Sequence, residues 1–173
     1  MRTIPSPTEC IELLKKTGCS ESVIRHCMAV RDISMRIASR TNADKHLVEA
    51  GALLHDIGRS KTHGIRHAIE GVKIAKKLGL SDKIIKIIER HIGAGLSKEE
   101  AKKLGLPAKE YIPKTLEEKI VCHADSLVDN SKKQNVEKEV ERALHDGHKE
   151  YAIRLVELHK ELSDICGIDL NEI

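Results

Sequence analysis

Aromatic side chains are almost missing from this chain: its 173 residues include two Tyr, no Phe and no Trp. A core must therefore be built from Ile, Leu, Val and Ala. A platform that stacks the bases of a single strand is excluded, because such platforms need exposed rings. An excess of one charge is also missing. The 30 Lys and Arg face 27 Asp and Glu, a net of +3 with His neutral, which leaves no footprint of the kind duplex DNA requires. No apolar run approaches the ~20 residues of a membrane span. The five cysteines, Cys10, Cys19, Cys27, Cys122 and Cys166, contain no C-x-x-C pair and cannot all pair with one another. Their use points to a reduced, cytoplasmic chain, and the polar stretch Met1 to Glu9 lacks the apolar segment of a secretory signal.

What the chain does have is ten histidines in a sequence that reads almost throughout at helical period. One compact unit is expected at this length, with a core over about residues 20–130 and charged helices over about 135–166 packing on it. Pro7 and Gly18 bracket a first short helix. Ser20 caps a second reaching about Arg40, in which Val23, His26, Val30, Ile33 and Ile37 form one stripe. Asp44 opens a third, with Val48, Ala52 and His55 on a face, ended by Gly58. His67, Gly71, Ile74 and Leu78 line a helix closed by Gly79. Ser81 caps another in which Ile84, Ile88 and His91 align. Ser97 with Glu100 and Thr115 with Glu118 read as capping boxes, the second opening a helix with Val121, Asp125 and Val128 on one face. The stretch from Asn135 to Cys166 reads as charged amphipathic helix interrupted near Gly147, leaving both packing over the bundle and a homodimer surface open. No segment alternates with period two, so the fold class is all-α.

The stripes carry polar residues where apolar ones belong. His26, His55, His67, His91 and Asp125 each lie in line with the apolar positions of their own helix, and Asp56 follows His55. A single such histidine is ordinarily a core imidazole bonded to a carbonyl. Five such residues on five helices call for a common explanation, because buried charge is normally paired or bound to metal. No Lys or Arg falls on these stripes to neutralise Asp125. Imidazole and carboxylate without thiolate suit Mn, Fe, Co, Ni or Zn rather than a structural zinc site, and ligands spread from residue 26 to 125 meet only between folded helices. His145, His148 and His159 read as surface residues; His46 and His123 stay unassigned.

The ordered set His26, then Leu53-Leu54-His55-Asp56-Ile57-Gly58, then Ala124-Asp125 resembles the HD-domain superfamily of metal-dependent phosphohydrolases over about residues 22–130. The resemblance implies a helical bundle with a metal site between helices, where His26, His55, Asp56 and Asp125 hold a first divalent ion, Mg included among the candidates. His67-Ala-Ile-Glu-Gly71 and Glu89-Arg90-His91-Ile92-Gly93 are similar to the extra motifs of two-metal branches, with Asp56 as the bridge and His67 and His91 completing a second site. Those branches often pair histidines before the glycine, whereas Ile92 stands here, so one and two ions both stay open.

A metal with open positions supplies hydroxide near neutral pH, and the oxygens of a phosphate need cations beside it. The loop after the His-Asp pair offers Arg59, Lys61 and Arg66, with His63 nearby; Arg59 resembles the family's phosphate-contacting lysine. The expected roles are Asp56 as ligand and base, Arg59 on the phosphate, and His63 or His67 protonating the leaving group. The reaction expected is metal-dependent hydrolysis of a phosphate ester or anhydride in a nucleotide-like small molecule, with neither duplex DNA nor membrane as partner. Two alternatives are a metal-stabilised nucleotide-binding module without turnover and, on similar ligands, di-iron oxygenase chemistry.

Overall fold

The computed structural model describes residues 3–173. Met1 and Arg2, the start of the stretch read as lacking a secretory signal, lie outside them. The described residues form nine α-helices: α1 Pro7–Thr17, α2 Glu21–Ala38, α3 Lys45–Leu54, α4 His67–Lys77, α5 Asp82–Glu89, α6 Lys98–Lys103, α7 Leu116–Ser126, α8 Val136–His145 and α9 Lys149–Cys166. Two 3-10 turns, Ile57–Ser60 and Leu170–Glu172, and a two-residue antiparallel pair, β1 Val128–Asp129 with β2 Lys132–Lys133, complete them. The chain is thus all-α apart from one small hairpin, which is too short for alternation to announce it. No helix among the described residues is long and apolar enough to cross a membrane.

Local chemistry sets the helix ends. Ser6 and Glu9 form a capping box ahead of Pro7, and Gly18 closes α1 at φ 93°, where a residue without Cβ meets no steric cost. The side chains of Ser20, Asp44, Ser81, Ser97 and Thr115 each accept a backbone N–H at a helix start. Only Ser97 of the two expected boxes is reciprocal. Glu118 instead accepts the N–H of Lys114 at 2.8 Å and receives Arg90, so the Thr115 box is half made. Gly58 does not end α3, which stops at Leu54. It lies in the 3-10 turn, where an added Cβ would fall 1.7 Å from the His67 carbonyl oxygen. That contact is how the turn seats on the start of α4.

α2, α3 and α7 pack on one another; α5 lies against α3 and α7, α4 against α5 and the 3-10 turn, and α9 against α7 and α8. Their shared core is aliphatic, with Val30, Ile37, Val48, Leu54, Ile84, Ile88, Ile120 and Leu155 at 0% exposure, each such side chain stabilising by roughly 1.5–3 kcal/mol. Tyr111 is buried in a smaller cluster with Leu96, Ala101 and Leu106 around α6. Packing between α4 and α5 is close: a Cβ on Gly71 would come 2.7 Å from Ile88 Cγ2. This approach matters because His67 and His91 sit at the ends of those two helices.

Candidate metal centre

Each polar residue of the apolar stripes arrives from a different place in the bundle. His26 comes from the middle of α2, His55 caps the C-terminal end of α3, Asp56 follows it into the 3-10 turn, His67 opens α4, His91 lies just beyond α5, and Asp125 is near the end of α7. The structure brings all six together. His26 Nε2 is 2.9 Å from Asp125 Oδ1 and 3.6 Å from Asp56 Oδ2. His55 Nε2 is 3.5 Å from Asp125 Oδ1 and 3.7 Å from Asp56 Oδ2. On the other side of Asp56, Oδ1 lies 3.2 Å from the Nε2 atoms of both His67 and His91. Asp56 therefore stands between two groups of imidazoles, one carboxylate oxygen toward each.

The far nitrogen of each ring tells which atoms face inward. His55 Nδ1 bonds the Ala52 carbonyl at 2.7 Å, His91 Nδ1 that of Ile88 at 2.7 Å, and His67 Nδ1 that of Gly64 at 2.9 Å. All three reach back three residues, and the first two satisfy carbonyls that a helix end leaves open. His26 Nδ1 bonds the Asn130 carbonyl at 2.6 Å. A carbonyl only accepts, so each Nδ1 carries hydrogen and each Nε2 presents a lone pair unless the ring is charged. His67 Nε2 and His91 Nε2 then face each other at 2.9 Å as two acceptors, which requires a proton or a cation between them. His55 Nε2 and Asp56 Oδ1 are fully buried without a hydrogen-bond partner, a condition that costs roughly 1–3 kcal/mol for a neutral group and more for a charged one. Inward lone pairs, orphaned buried atoms and fixed outer hydrogen bonds are what a divalent ion's ligands need. Two sets, His26 with His55 and Asp125, and His55 with Asp56 and His91, have donor atoms within 4.8 Å of one another. The residues present fit a divalent metal.

The charge balance agrees. Burial opposes a charge on His55, yet Asp56 and Asp125 beside it push the imidazole up to about 9. His26 is likewise raised against its burial, chiefly by the Asp125 hydrogen bond. Burial opposes ionisation of Asp56 too, but His55 and the His67 and His91 rings beside it hold it well below the usual carboxylate range. Asp125 is lowered against burial by His55 and His26. His91 goes the other way, lowered by burial first and by the neighbouring His55 and His67. The two carboxylates are thus anions that draw positive charge into a closed space.

A cleft of about 470 Å³ opens onto this cluster, lined by Ser22, Val23, Arg25, His26, Asp56, Arg59, His63, Asn130 and Ser131. Arg59 donates through Nε to Asp56 Oδ2 at 2.8 Å and through Nη1 to the His63 carbonyl at 3.1 Å, so it reaches the centre by pairing with Asp56. His63 is exposed on the cleft wall. Lys61 and Arg66 are outside that lining; Arg66 bonds the Gly105 carbonyl at 3.1 Å instead.

Sequence patterns did not point to Asn130, whose carbonyl fixes His26 from 104 residues away and whose φ of 56° is a left-handed conformation that asparagine tolerates. The Asn-Ser turn was the available signal. Nor is His159 a surface residue: it is half-buried, its Nδ1 2.8 Å from His123 Nε2 and its Nε2 2.9 Å from Asp169 Oδ1.

Among known proteins, residues 23–130 match the HD domain. A tRNA (cytidine(56)-2'-O)-methyltransferase of Picrophilus torridus is 48% identical over 177 residues, covering 100% of this chain and 51% of that protein. The chain therefore spans about half the length of that relative. An uncharacterized protein of Methanocaldococcus jannaschii is 44% identical over 158 residues, 87% of this chain and 93% of that protein. In three dimensions the HD domain of the L. monocytogenes phosphodiesterase PgpH, in complex with cyclic-di-AMP, aligns over 89% of this chain and 96% of its own with a TM-score of 0.56 at 20% identity, a likeness of fold.

Proposed function

The chain belongs to the HD-domain family, and on that premise we propose that it is a metal-dependent phosphohydrolase that cleaves a phosphate ester or anhydride of a nucleotide. The observation that carries this reading is the convergence of four inward imidazole nitrogens on Asp56 and Asp125 at the floor of an open cleft. The cyclic-di-AMP held by the PgpH HD domain supports a nucleotide as ligand.

In this reading His26, His55, Asp56 and Asp125 would hold one divalent ion, and His67 and His91 would complete a site for a second beside Asp56. Such ions lower the pKa of coordinated water and neutralise charge on a phosphate. The remaining work falls to the chain. Arg59, anchored by Asp56, presents its guanidinium to the non-bridging oxygens. Asp56, held ionised, would serve as a metal ligand rather than as a strong base. His63, exposed on the cleft wall, would protonate the leaving oxygen. The carbonyls of Ala52, Ile88, Gly64 and Asn130 keep the four rings in one tautomer, the fixed geometry on which catalysis depends.

The methyl transfer in the P. torridus relative's name is not assigned to the shared half. That protein is about twice as long as the region it shares, whereas the M. jannaschii relative matches over nearly its whole length. One observation favours a second reading, a nucleotide-binding module without turnover: Arg59 is tied to Asp56 rather than free.

The test is metal analysis of the purified protein combined with turnover of p-nitrophenyl phosphate, bis-p-nitrophenyl phosphate and a nucleotide panel, on wild type and Asp56→Ala. Metal in the wild type, phosphate or nucleotide release, and loss of both in the variant are expected. Metal and tight nucleotide binding without product would favour the module, and a protein that takes up no metal would overturn both readings.

A further inference from the structure

A second cleft, of about 310 Å³, adjoins the first. It is lined by Asp129, Asn130, Ser131, Lys132, Lys133, Gln134 and Lys138, and it shares Asn130 and Ser131, the tip of the β1–β2 hairpin, with the cleft over the metal centre. The lysines here are unlike many others on the surface. Lys73, Lys119 and Lys160 each bond a carboxylate at 2.6–2.8 Å. Lys132 and Lys138 have no carboxylate partner among the described residues, and Lys133 donates to the Asn171 carbonyl at 2.6 Å, with the Asp169 carboxylate within reach of its charge. Asp129 is the one acid in this lining. Basic side chains therefore continue from Arg25, 4.0 Å from Glu21, and Arg59, paired with Asp56, across the neutral hydroxyl and amide of the hairpin tip, to three lysines that a phosphate at the metal centre would not need.

From this continuity we propose that the hairpin carries a second phosphate subsite and that the substrate is a single-stranded oligonucleotide, held by successive phosphates, rather than a free mononucleotide. The proposal rests on the phosphohydrolase reading for the reaction but not for the binding. It also accounts for the scarcity of rings: with two tyrosines, one buried and one half-buried, the chain cannot grip bases by stacking, and a backbone track is the grip left to it. Recognition would be indifferent to sequence and sensitive to salt. A linear polyphosphate has related chemistry, so the test must separate the two.

The full-length chain is compared with the Lys132→Gln/Lys133→Gln/Lys138→Gln variant, and with Lys138→Glu alone, after thermal melts establish that each is folded. Metal-free protein is titrated with a labelled oligoadenylate at several salt concentrations, with linear polyphosphate as competitor. Loss of three phosphate contacts is expected to weaken binding about tenfold and to reduce the slope of log K against log salt by about 2. With metal, the triple variant should show a raised KM for the oligomer, an unchanged kcat, and wild-type turnover of p-nitrophenyl phosphate. Equal binding by wild type and triple variant, equal kcat/KM for dinucleotide and longer oligomer, or binding of polyphosphate but not of oligoadenylate would each overturn the subsite. If no substrate at all is turned over, the hydrolase reading fails while the salt titration still decides the subsite.

Discussion

Two histidine clusters lie within this bundle, and one helix serves both: α7 supplies Asp125 to the first and His123 to the second. In the first, every described Nδ1 bond ends on a carbonyl and every Nε2 turns toward Asp56, two of them toward Asp125 as well. In the second, the bonds run in a line, His123 Nε2 to His159 Nδ1 and His159 Nε2 to Asp169 Oδ1. Protons satisfy the bonds of the linear chain, and its one orphaned atom, the buried His123 Nδ1, faces no carboxylate partner. The line has an acid at the solvent end and a neutral ring at the core end, where burial, then His159, pushes His123 down to about 3. The convergent cluster has more acceptors than protons can satisfy without charging several buried rings. Histidine number and burial are therefore poor guides to a metal; the direction of the second nitrogen is the better one.

Metal removal should break the comparison most sharply. A ligand present at a hundred times its Kd stabilises the folded state by about 2.7 kcal/mol. Chelation should accordingly lower the melting temperature of wild type by about 5–10 °C, given about 2–4 °C per kcal/mol at this size. His159→Gln should show the same drop on chelation, because the residues proposed to hold metal lie in the other cluster. A chelator-sensitive step that disappears in His159→Gln would reverse the assignment of the two clusters.

Much of this centre is legible in the sequence. His26, His55, Asp56, His67, His91 and Asp125 stood out as polar residues on apolar stripes, and HD resemblance ordered them. Helix starts were equally plain, because Ser20, Asp44, Ser81 and Ser97 cap by side-chain chemistry that is local in sequence. What stayed hidden was long-range or backbone-borne. The Asn130 carbonyl holds His26 through an atom that every residue has. The hairpin at 128–133 is too short for a period, and Gly58 looked like a helix stop although its role is to let the His67 carbonyl approach. His159 is hidden because charged neighbours in α9 suggest a solvated face, while its partner, His123, comes from another helix.

Within the convergent cluster, the two sides of Asp56 should separate. His91→Gln removes the lone pair facing His67 and is expected to lower bound metal from two ions to one. Asp125→Asn, on the opposite side, should spare the ion near His67 and His91 and weaken the other by more than the about 10–100-fold seen when an outer hydrogen-bond partner of a ligand is lost. Stoichiometry by elemental analysis, with affinities from calorimetry, checks both. If wild type binds a single ion and both variants lose it together, Asp56 is not a bridge and the cluster is mononuclear.

The linear cluster should respond least, and in a different variable. Asp169 is held below its ordinary range by the N–H of Asn171 first and by His159 next. A carboxyl lowered in this way contributes stability above its unfolded value of about 3.9 and loses it as pH falls through the lowered one. Asp169 is largely exposed, with 58% of its side chain accessible, so solvent screening keeps the pair's contribution within about 0.5 kcal/mol. Asp169→Asn should therefore leave the denaturation midpoint at neutral pH almost where it was, flatten the loss of stability below about pH 4, and keep metal stoichiometry at the wild-type value. A change in bound metal in this variant would mean that the line of hydrogen bonds through His159 and His123 reaches Asp125 along α7, and the two clusters would then have to be treated as one.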